Sequence, residues 1–348
     1  MSEISTADDG HAKAVPIHLL IDTDPGIDDA VALALAARLE RLRVVAITAV
    51  HGNADVAHAT RNAREIARRA GLRAPVVAGA ARPLQRESAP ARETHGPEGL
   101  GYFTPAAPAA PEPDGAAERI ASAAHEHPGL TLCCLGPLTN LAHALARDPA
   151  LPSRLGPVFA MGGALGVRGT QTRWSEFNWW ADPEAADAVL RAGLDLRLVP
   201  LDVTRRIAIP GEAIGALAAA AEHDEGARFW ADALRFYADF HRSWERFDGC
   251  VVNDALAVTL VADPALATWR DERLAVSRSD DDRRGAVSRD PGGAPARVAF
   301  DVRAREVVEL VGRLVFARWV KPETFAAGAE AAERWLAEHP LHEEGRAR

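Results

Sequence analysis

The segment over residues 20–30 constrains the fold of this chain more than any other part of its sequence. An apolar run over residues 15–21 leads into it, and a helical pattern over residues 30–39 follows it. A buried strand that turns directly into a helix places the connecting residues at the carboxyl end of a sheet, where open α/β folds bind ligands. Four aspartates stand within eight residues of this connection: Asp22, Asp24, Asp28 and Asp29.

The turn between strand and helix brings these acids together. Pro25 and Gly26 favour a tight turn, so we expect Asp24 to point at the same spot as Asp28 and Asp29. Clustered carboxylates repel each other unless a hard cation lies among them, and oxygen ligands suit Ca²⁺ or Mg²⁺. The alternative is an acidic helix N-terminus, which the helix dipole favours. Such a helix start does not need two further aspartates on the strand side, so we predict a metal site.

Strand-like and helix-like patterns alternate along the first two hundred residues. Apolar runs predict strands over residues 17–22, 44–50, 75–78, 130–135, 157–161 and 196–201. Between them, apolar periodicity predicts helices over residues 28–39, 56–70, 116–125, 138–146 and 183–192. Alternation of this kind, with nearly continuous apolar strands, indicates a mostly parallel sheet that is covered by helices on both faces.

The second part of the chain is mainly helical. Helices are predicted over residues 211–221, 227–244, 254–261, 304–316 and 323–338, with strands over 274–277 and 297–302. Residues 81–113 are rich in proline and predict a long loop, whereas residues 278–295 predict an exposed hairpin or a mobile loop. The predicted fold is α/β, with an open, mostly parallel, Rossmann-like sheet flanked by helices, additional C-terminal helices and a short hairpin. We expect one domain over residues 15–340 after a disordered lead-in over residues 1–14.

Composition excludes several classes of protein. The formal net charge of −9 argues against a nucleic-acid partner, which would require a clustered basic face. No apolar run approaches the roughly 20 residues of a membrane span, and the polar N-terminus lacks the apolar core of a signal peptide. Two of the three cysteines, Cys133 and Cys134, are adjacent in a predicted buried strand. We therefore expect reduced thiols and a cytoplasmic protein with no membrane partner.

The aspartate-rich segment also carries a family resemblance. Residues 22–29 have the order Asp-x-Asp-Pro-Gly-x-Asp-Asp and resemble the signature of the nucleoside hydrolases, Ca²⁺-dependent enzymes that cleave the N-glycosidic bond of ribonucleosides. Phosphatases of the haloacid dehalogenase type also place Asp-x-Asp after a buried strand, but their loop usually continues differently. The later motifs of this chain match the hydrolase pattern in order, from about residue 15 to 320. The resemblance therefore favours a nucleoside hydrolase.

This resemblance implies a metal site and a general base. A single Ca²⁺ would be bound by Asp24, Asp29, Asp254 and the main-chain carbonyl of Leu135, which precedes the motif GPLTN. Asp254 begins a predicted helix, and an ordinary helix cap is the alternative interpretation of this residue. Asp24 would lie beside the attacking water and take its proton. Two further residues of these turns would contact ribose hydroxyls: Asp28 and Asn53.

Other motifs imply the remaining walls of a nucleoside site. MGG at residues 161–163 and EFN at residues 176–178 resemble the family pattern, in which Glu176 and Asn178 contact ribose hydroxyls chiefly on the 5′ side and Met161 lines the pocket. The family often has Asn six residues before this Glu, and Thr170 takes that position here. His95, in a glycine-containing loop, would contact the base, although a solvated loop histidine is the alternative.

The residue before the last metal ligand departs from the family pattern. Many relatives have a His there that protonates the leaving base, whereas this chain has Asn253, whose amide does not titrate near neutral pH. His241 and Trp244 lie three residues apart on a predicted helix and are candidate replacements. A second possibility is that the base stacks on a tryptophan near Glu176, which could be Trp174, Trp179 or Trp180. The alternative for each of these tryptophans is a position in the core or at an interface. Stacking would favour purine nucleosides.

Together these patterns predict hydrolysis of a small-molecule ribonucleoside to ribose and free base. The resemblance further implies a homodimer or homotetramer and no nucleic-acid or membrane partner. A different class of function is a non-catalytic or strongly impaired nucleoside- or ribose-binding protein on the same fold, because Asn253 stands where relatives have an acid. Release of free base from a panel of ribonucleosides distinguishes the two.

Overall fold

The computed structural model describes residues 15–338, so the predicted lead-in over residues 1–14 lies outside the described residues. The strands are β1 (Ile17–Thr23), β2 (Leu42–Ala49), β3 (Val76–Ala78), β4 (Leu130–Cys134), β5 (Leu155–Met161), β6 (Leu196–Val199), β7 (Ala208–Pro210), β8 (Gly249–Val251), β9 (Ala267–Val276), β10 (Val287–Arg289) and β11 (Ala294–Val302). The helices are α1 (Ile27–Ala36), α2 (Val56–Ala70), α3 (Arg92–His95), α4 (Ala116–Glu126), α5 (Thr139–Arg147), α6 (Phe177–Ala181), α7 (Pro183–Leu190), α8 (Leu201–Thr204), α9 (Gly211–Ala220), α10 (Glu225–Phe240), α11 (Asn253–Ala262), α12 (Ala304–Val311) and α13 (Glu323–Glu338).

A nine-stranded sheet forms the centre of the described chain. Its strand order is β10-β9-β11-β6-β5-β4-β1-β2-β3. The strands from β11 to β3 in this order all run parallel, and β9 is antiparallel to both of its neighbours. β7 and β8 pair separately as a small antiparallel sheet. The predicted α/β class with a mostly parallel sheet is confirmed.

Helices cover both faces of the sheet because its strands are apolar on both sides. In β1, Leu19 and Ile21 face one hydrophobic layer, to which α1, α2, α10, α11 and α12 contribute. Leu20, which points the other way, belongs to a second layer with residues of α4, α5 and α7. The alternation of side chains along a strand produces this division. In the described part of the chain, no helix has the length and apolar character needed to cross a membrane.

One segment agrees with its prediction and another differs from it. Residues 278–295, expected as an exposed hairpin or a mobile loop, contain β10, which pairs antiparallel with the preceding strand β9 and so forms a hairpin at the edge of the main sheet. The helix predicted over residues 227–244 is α-helical only to Phe240 and continues as a turn of π-helix over His241–Glu245. A π-helix closes i→i+5 hydrogen bonds and has more residues per turn, so it changes which side chains share a face.

The parallel arrangement brings four loops to one edge of the sheet. β1, β2, β4 and β5 are neighbours, and their carboxyl ends lead to Asp24, Asn53, Leu135 and Gly162 respectively. The carboxyl edge of such a sheet is where open α/β folds bind ligands. The candidate site residues therefore gather here because of the strand order, although they are far apart in sequence.

Candidate active site

Asp22 and Asp24 are both fully buried, and each has one carboxylate oxygen without a hydrogen-bond partner among the described residues. They differ in the groups that hold the other oxygen. Asp22 Oδ1 accepts hydrogen bonds from Thr48 Oγ1 at 2.6 Å and Asn140 Nδ2 at 2.7 Å. Burial raises the pKa of Asp22 to about 7. Its contacts join β1 to β2 and to α5, so Asp22 holds the scaffold together beneath the site.

Asp24 is held at one oxygen and unpartnered at the other. Its Oδ2 accepts the main-chain N–H of Asn53 at 2.7 Å, whereas the buried Oδ1 has no hydrogen-bond partner among the described residues. Burial, followed by the charge of Asp29, raises its pKa well above the usual range. Glycines leave room for this carboxylate: a Cβ on Gly52 would stand 1.9 Å from Oδ2, and one on Gly136 would stand 2.6 Å from Oδ1.

Three further carboxylates converge beside Asp24. Asp28, Asp29 and Asp254 each offer an oxygen, and these oxygens lie within 4.8 Å of one another. All three side chains are buried, which is the largest cause of their raised pKa values, with Asp28 raised to about 7. The charge of Asp24 also raises the pKa of Asp254. The structure therefore brings Asp29 and Asp254 together with Asp28. Asp24 lies outside this group of converging oxygens, although the charges of Asp29 and Asp28 act on its pKa.

The donor set of this cluster fits a hard cation. Four buried carboxylates repel one another, and both Asp24 Oδ1 and Asp28 Oδ1 have no hydrogen-bond partner within the described chain. The Leu135 carbonyl faces the same cavity and accepts a hydrogen bond from Asn178 Nδ2 at 2.6 Å. Oxygen donors from carboxylates and carbonyls are the ligands that Ca²⁺ and Mg²⁺ prefer. The residues present therefore match the chemistry of such an ion.

Above the acids lies a cavity of about 120 Å³. Several separate segments of the chain line it. The lining residues include Asp28, Asn53, His95, Leu135, Met161, Thr170, Glu176, Phe177, Asn178, Arg205, Tyr237, Phe240, His241, Glu245, Asn253 and Asp254. Most of the predicted contact residues thus meet in one cavity. Its floor is polar and acidic, and one wall is largely aromatic.

The wall formed by residues 161–178 has little freedom to move. Glu176 caps α6, and its carboxylate accepts main-chain N–H groups from Gly163 at 3.0 Å, Asn178 at 2.8 Å and Trp179 at 3.2 Å. Burial raises the pKa of Glu176 to about 7. Thr170 Oγ1 accepts the N–H of Phe177 at 3.0 Å. This wall is fixed by its own main-chain hydrogen bonds.

Two histidines line the aromatic wall, and burial lowers the pKa of both. His95 Nδ1 accepts the Ile27 N–H at 3.2 Å, and burial lowers the pKa of His95 to about 3. His241 Nδ1 lies 2.8 Å from the Tyr237 carbonyl oxygen, and the Val251 N–H points at its Nε2 from 3.4 Å. Burial also lowers the pKa of His241. Each of the two rings accepts a main-chain N–H.

Asn253 connects the acidic floor to the opposite side of the cavity. Its Nδ2 group donates to Asp28 Oδ2 at 3.4 Å, and its Oδ1 accepts the Thr204 hydroxyl at 2.8 Å. The Asp28 carboxylate therefore fixes the orientation of the amide, because a carboxylate accepts from the amide nitrogen, and the Thr204 hydroxyl then donates to the amide oxygen. The side chain lines the cavity as a hydrogen-bonding group that holds Asp28.

Comparison with known proteins agrees with this geometry. Residues 19–309 match the family model described as inosine-uridine preferring nucleoside hydrolase. The chain belongs to this nucleoside hydrolase family. The resemblance noted in the sequence is confirmed, and with it the assignment as an enzyme that hydrolyses the N-glycosidic bond of ribonucleosides. A non-catalytic nucleoside-binding protein is not favoured.

Individual relatives cover most of the hydrolase. The probable uridine nucleosidase 1 of Oryza sativa subsp. japonica is 34% identical over 256 residues, which cover 72% of this chain and 78% of the relative. A solved plant nucleoside hydrolase, the PpNRh1 enzyme, has 31% identity and a TM-score of 0.80, with 86% of this chain and 99% of that chain covered. The purine-preferring ribonucleoside hydrolase from Gardnerella vaginalis has 25% identity and a TM-score of 0.78, with coverage of 91% and 99%.

The structure places the candidate tryptophans outside the cavity of this hydrolase. Trp244 is 74% exposed and does not line the cavity, because the π-helical turn that begins at His241 separates the two side chains. Trp179 is fully buried, Trp174 donates to the exposed Asp282, and Trp180 stacks under Arg284. None of these four rings lines the cavity.

Among the residues that line the cavity of the hydrolase and that sequence reasoning missed, five bear on the chemistry of its walls. Three are aromatic, and they take the place expected for the tryptophans: Phe177, Tyr237 and Phe240. The other two are a buried arginine and an acid on the π-helical turn: Arg205 and Glu245. Tyr237 and Phe240 are four and one residues before His241, so helical periodicity could have placed Tyr237 beside it. No sequence signal indicated Arg205.

Proposed function

We propose that this nucleoside hydrolase releases the base by attack of water on the anomeric carbon, with Asp24 as the general base. The observation that carries the proposal is the unpartnered, buried Oδ1 of Asp24 in a cluster of carboxylates. The Asn53 N–H fixes the other oxygen, so one lone pair stays available for a proton. A positioned base contributes roughly 10²–10⁴-fold to rate when its pKa suits the working pH.

The proposed metal is Ca²⁺, bound by Asp24, Asp29, Asp254 and the Leu135 carbonyl, with Asp28 near enough to contribute. Its ligands would all be oxygen atoms, with no His or Cys among them, which favours a hard cation over zinc or copper. When bound, such an ion would supply positive charge and binding positions for ribose hydroxyls. It would also relieve the repulsion that raises the pKa values of these acids.

The remaining polar residues of the cavity are proposed to hold the ribose. Asp28 Oδ1 and the amide of Asn53 face the sugar from the floor, while Asn178 and Glu176 offer contacts from the neighbouring wall. As the bond to the base breaks, positive charge develops on the ribosyl group, as in other glycoside cleavage. The buried carboxylates stabilise that charge electrostatically without forming a covalent bond.

The base is proposed to lie against the wall that contains His95, Tyr237 and Phe240. The expected lean towards purines depended on tryptophan stacking, which the cavity does not provide. Among the relatives, one is named a uridine nucleosidase and another a purine-preferring hydrolase. We therefore propose that ribonucleosides of both base classes are substrates.

Three finer expectations accompany the proposed function. A role in nucleoside salvage follows from the products, because free base and ribose can both be reused. A cytoplasmic location is supported by the three cysteines, which are buried and unpaired, as expected in a reducing compartment. A homodimer or homotetramer rests on the family resemblance, and light scattering of the purified protein measures it directly.

The proposed function is tested with five ribonucleosides: inosine, guanosine, adenosine, uridine and cytidine. Free base and reducing sugar are measured with the native protein, the chelated and dialysed protein, and the Asp24→Asn variant. We expect turnover that chelation abolishes and Ca²⁺ restores. Asp24→Asn should lose about 10²–10⁴-fold in turnover while keeping its fold, because Asn cannot accept a proton.

Asp187→Asn is the matched control, since Asp187 is a buried acid of α7 that pairs with Arg191 and does not line the cavity. We expect this variant to keep its turnover. Absence of base release from every nucleoside would overturn the proposed function. Full activity without metal would overturn the metal site, and turnover of Asp24→Asn above about a tenth of native would place the base elsewhere.

A further inference from the structure

Arg205 is a buried cation in the wall of the active-site cavity. Only 7% of its surface is exposed, yet it lines the cavity together with Tyr237 and His241. It follows α8 directly, and its guanidinium group stays charged in proteins, although burial lowers its pKa. Long cationic side chains are seldom buried without a pairing group, so the surroundings of this one are informative.

The guanidinium is paired with an acid, but it makes no hydrogen bond to that acid. Its closest acid is Glu245, with Arg205 Nη2 and Glu245 Oε1 separated by 3.7 Å, beyond a normal hydrogen bond. The other contact is the Trp335 ring, whose centre lies 6.0 Å from Cζ. Within the described chain, none of its five N–H donors makes a hydrogen bond. A buried group with this many free donors beside a cavity is suited to an acceptor on a ligand.

The position of Arg205 in the cavity indicates which part of a nucleoside it would meet. The preceding residue, Thr204, donates to Asn253, so α8 borders the position where relatives carry the leaving-group acid. Glu245 lies on the π-helical turn beside His241, on the aromatic wall. Arg205 therefore lies on the side of the cavity that carries Asn253 and the aromatic wall, where we place the base.

Neighbouring groups are poor proton donors for the leaving base. Asn253 does not titrate near neutral pH, and His95 is neutral with its Nδ1 occupied by a main-chain N–H. His241 donates its Nδ1 proton to the Tyr237 carbonyl, which leaves its Nε2 as an acceptor. The base must then depart with the electron pair of the broken bond and without a proton from these residues.

We propose that Arg205 stabilises the departing base as an anion by donating hydrogen bonds to its carbonyl oxygen or ring nitrogen. This inference rests on the proposed function. The C1′–N bond breaks and its electron pair goes to the base. The water oxygen bonds to C1′, and its proton passes to Asp24. The base anion then takes a proton from solvent, and Asp24 releases its proton, so that ribose and neutral base result.

Selectivity between leaving groups tests this role. A p-nitrophenyl riboside has a stable anionic leaving group, whereas uridine and inosine have poor ones. The Arg205→Met variant keeps the apolar stem but removes the charge. We expect its kcat on uridine and inosine to fall roughly 10–100-fold, the worth of one hydrogen bond to a charged group. Its kcat on the nitrophenyl riboside should stay within about threefold of native.

Two further variants control for folding and charge. Arg206→Met removes the neighbouring arginine, which pairs with Glu333 at 3.2 Å on the surface and does not line the cavity. It should leave the rates on both substrate types unchanged. Arg205→Lys keeps the charge. For each protein, kcat on uridine is divided by kcat on the nitrophenyl riboside, and we expect this ratio for Arg205→Lys to lie between the native ratio and the Arg205→Met ratio. This ratio is measurable even if Arg205→Met fails to fold.

The results separate failure of the inference from failure of the proposed function. Equal loss on uridine and nitrophenyl riboside would make Arg205 a structural or ribose-binding residue and overturn the inference alone. Unchanged rates on both substrates in Arg205→Met or Arg205→Lys would also overturn the inference alone. If the native protein releases no base from any ribonucleoside, the proposed function itself fails and the inference fails with it.

Discussion

His241 Nδ1 lies 2.8 Å from the carbonyl oxygen of Tyr237, one turn earlier in the chain. A carbonyl can only accept, so the proton of the neutral ring resides on Nδ1, and Nε2 accepts the Val251 N–H at 3.4 Å. Because burial also lowers the pKa of His241, this imidazole shapes the base wall without offering a proton. The geometry argues against His241 as the replacement acid that sequence reasoning suggested.

A substitution that keeps the Nδ1 contact tests this interpretation. In His241→Asn the amide can still donate to the Tyr237 carbonyl, but no titrating group remains. We expect uridine and p-nitrophenyl riboside turnover to fall by the same small factor, so that their ratio stays at the native value. If turnover of uridine falls more than turnover of p-nitrophenyl riboside, His241 supplies the proton after all.

Phe240 and Trp244 form a matched pair for the base wall. Phe240 lines the cavity from the end of α10, whereas Trp244 is 74% exposed on the π-helical turn. Phe240→Ala should lower kcat/KM for nucleosides by about tenfold, the factor that corresponds to 1.4 kcal/mol of lost contact. Trp244→Ala should leave kcat/KM unchanged. Comparable losses in both variants would mean that the base contacts the exposed ring.

Gly52 controls the position of the proposed base. A Cβ on Gly52 would stand 1.9 Å from Asp24 Oδ2, so Gly52→Ala must displace the carboxylate. We expect a loss of about 10²-fold in kcat, because a shift near 1 Å at a reacting group can cost that much. Gly215→Ala is the control: nothing lies within 4 Å of its Cβ, and α9 should gain stability. Native turnover in Gly52→Ala would contradict the assignment of Asp24.

Much of this site was predictable because its residues follow strands. The order β2-β1-β4-β5 places the turns after four parallel strands side by side, so Asp24, Asn53 and Leu135 meet at one edge. Apolar runs and glycine-containing turns indicate this architecture from local sequence alone. The aspartate cluster and the fold class were therefore correctly expected.

The base wall could not be predicted in the same way. Trp244 faces solvent because the α-helix changes to a π-helix at His241. The sequence has the pattern of a continuous helix and does not indicate this change. Arg205 enters the cavity through tertiary packing of α8 against α11, which leaves no local periodicity to detect.

The acid cluster makes the stability of the metal-free protein depend on pH. Burial, followed by the charge of Asp29, raises the pKa of Asp28 from 3.8 to about 7. A carboxyl whose folded pKa is raised contributes stability below its unfolded pKa and loses that contribution as pH rises through its folded pKa. Metal-free protein should therefore lose the contribution of Asp28 between about pH 4 and pH 7.

Asp28→Asn removes this titration while keeping the size of the side chain. In urea unfolding of metal-free protein, the variant should gain free energy of unfolding relative to native as pH rises from about 5 to about 8, because Asn stays neutral. Added Ca²⁺ should reduce or reverse this gain at the higher pH, since the native cluster carries more charge to bind it. A difference in free energy that does not change with pH would mean that Asp28 is ionised throughout the range, and that the cluster contains a neutralising group other than a metal.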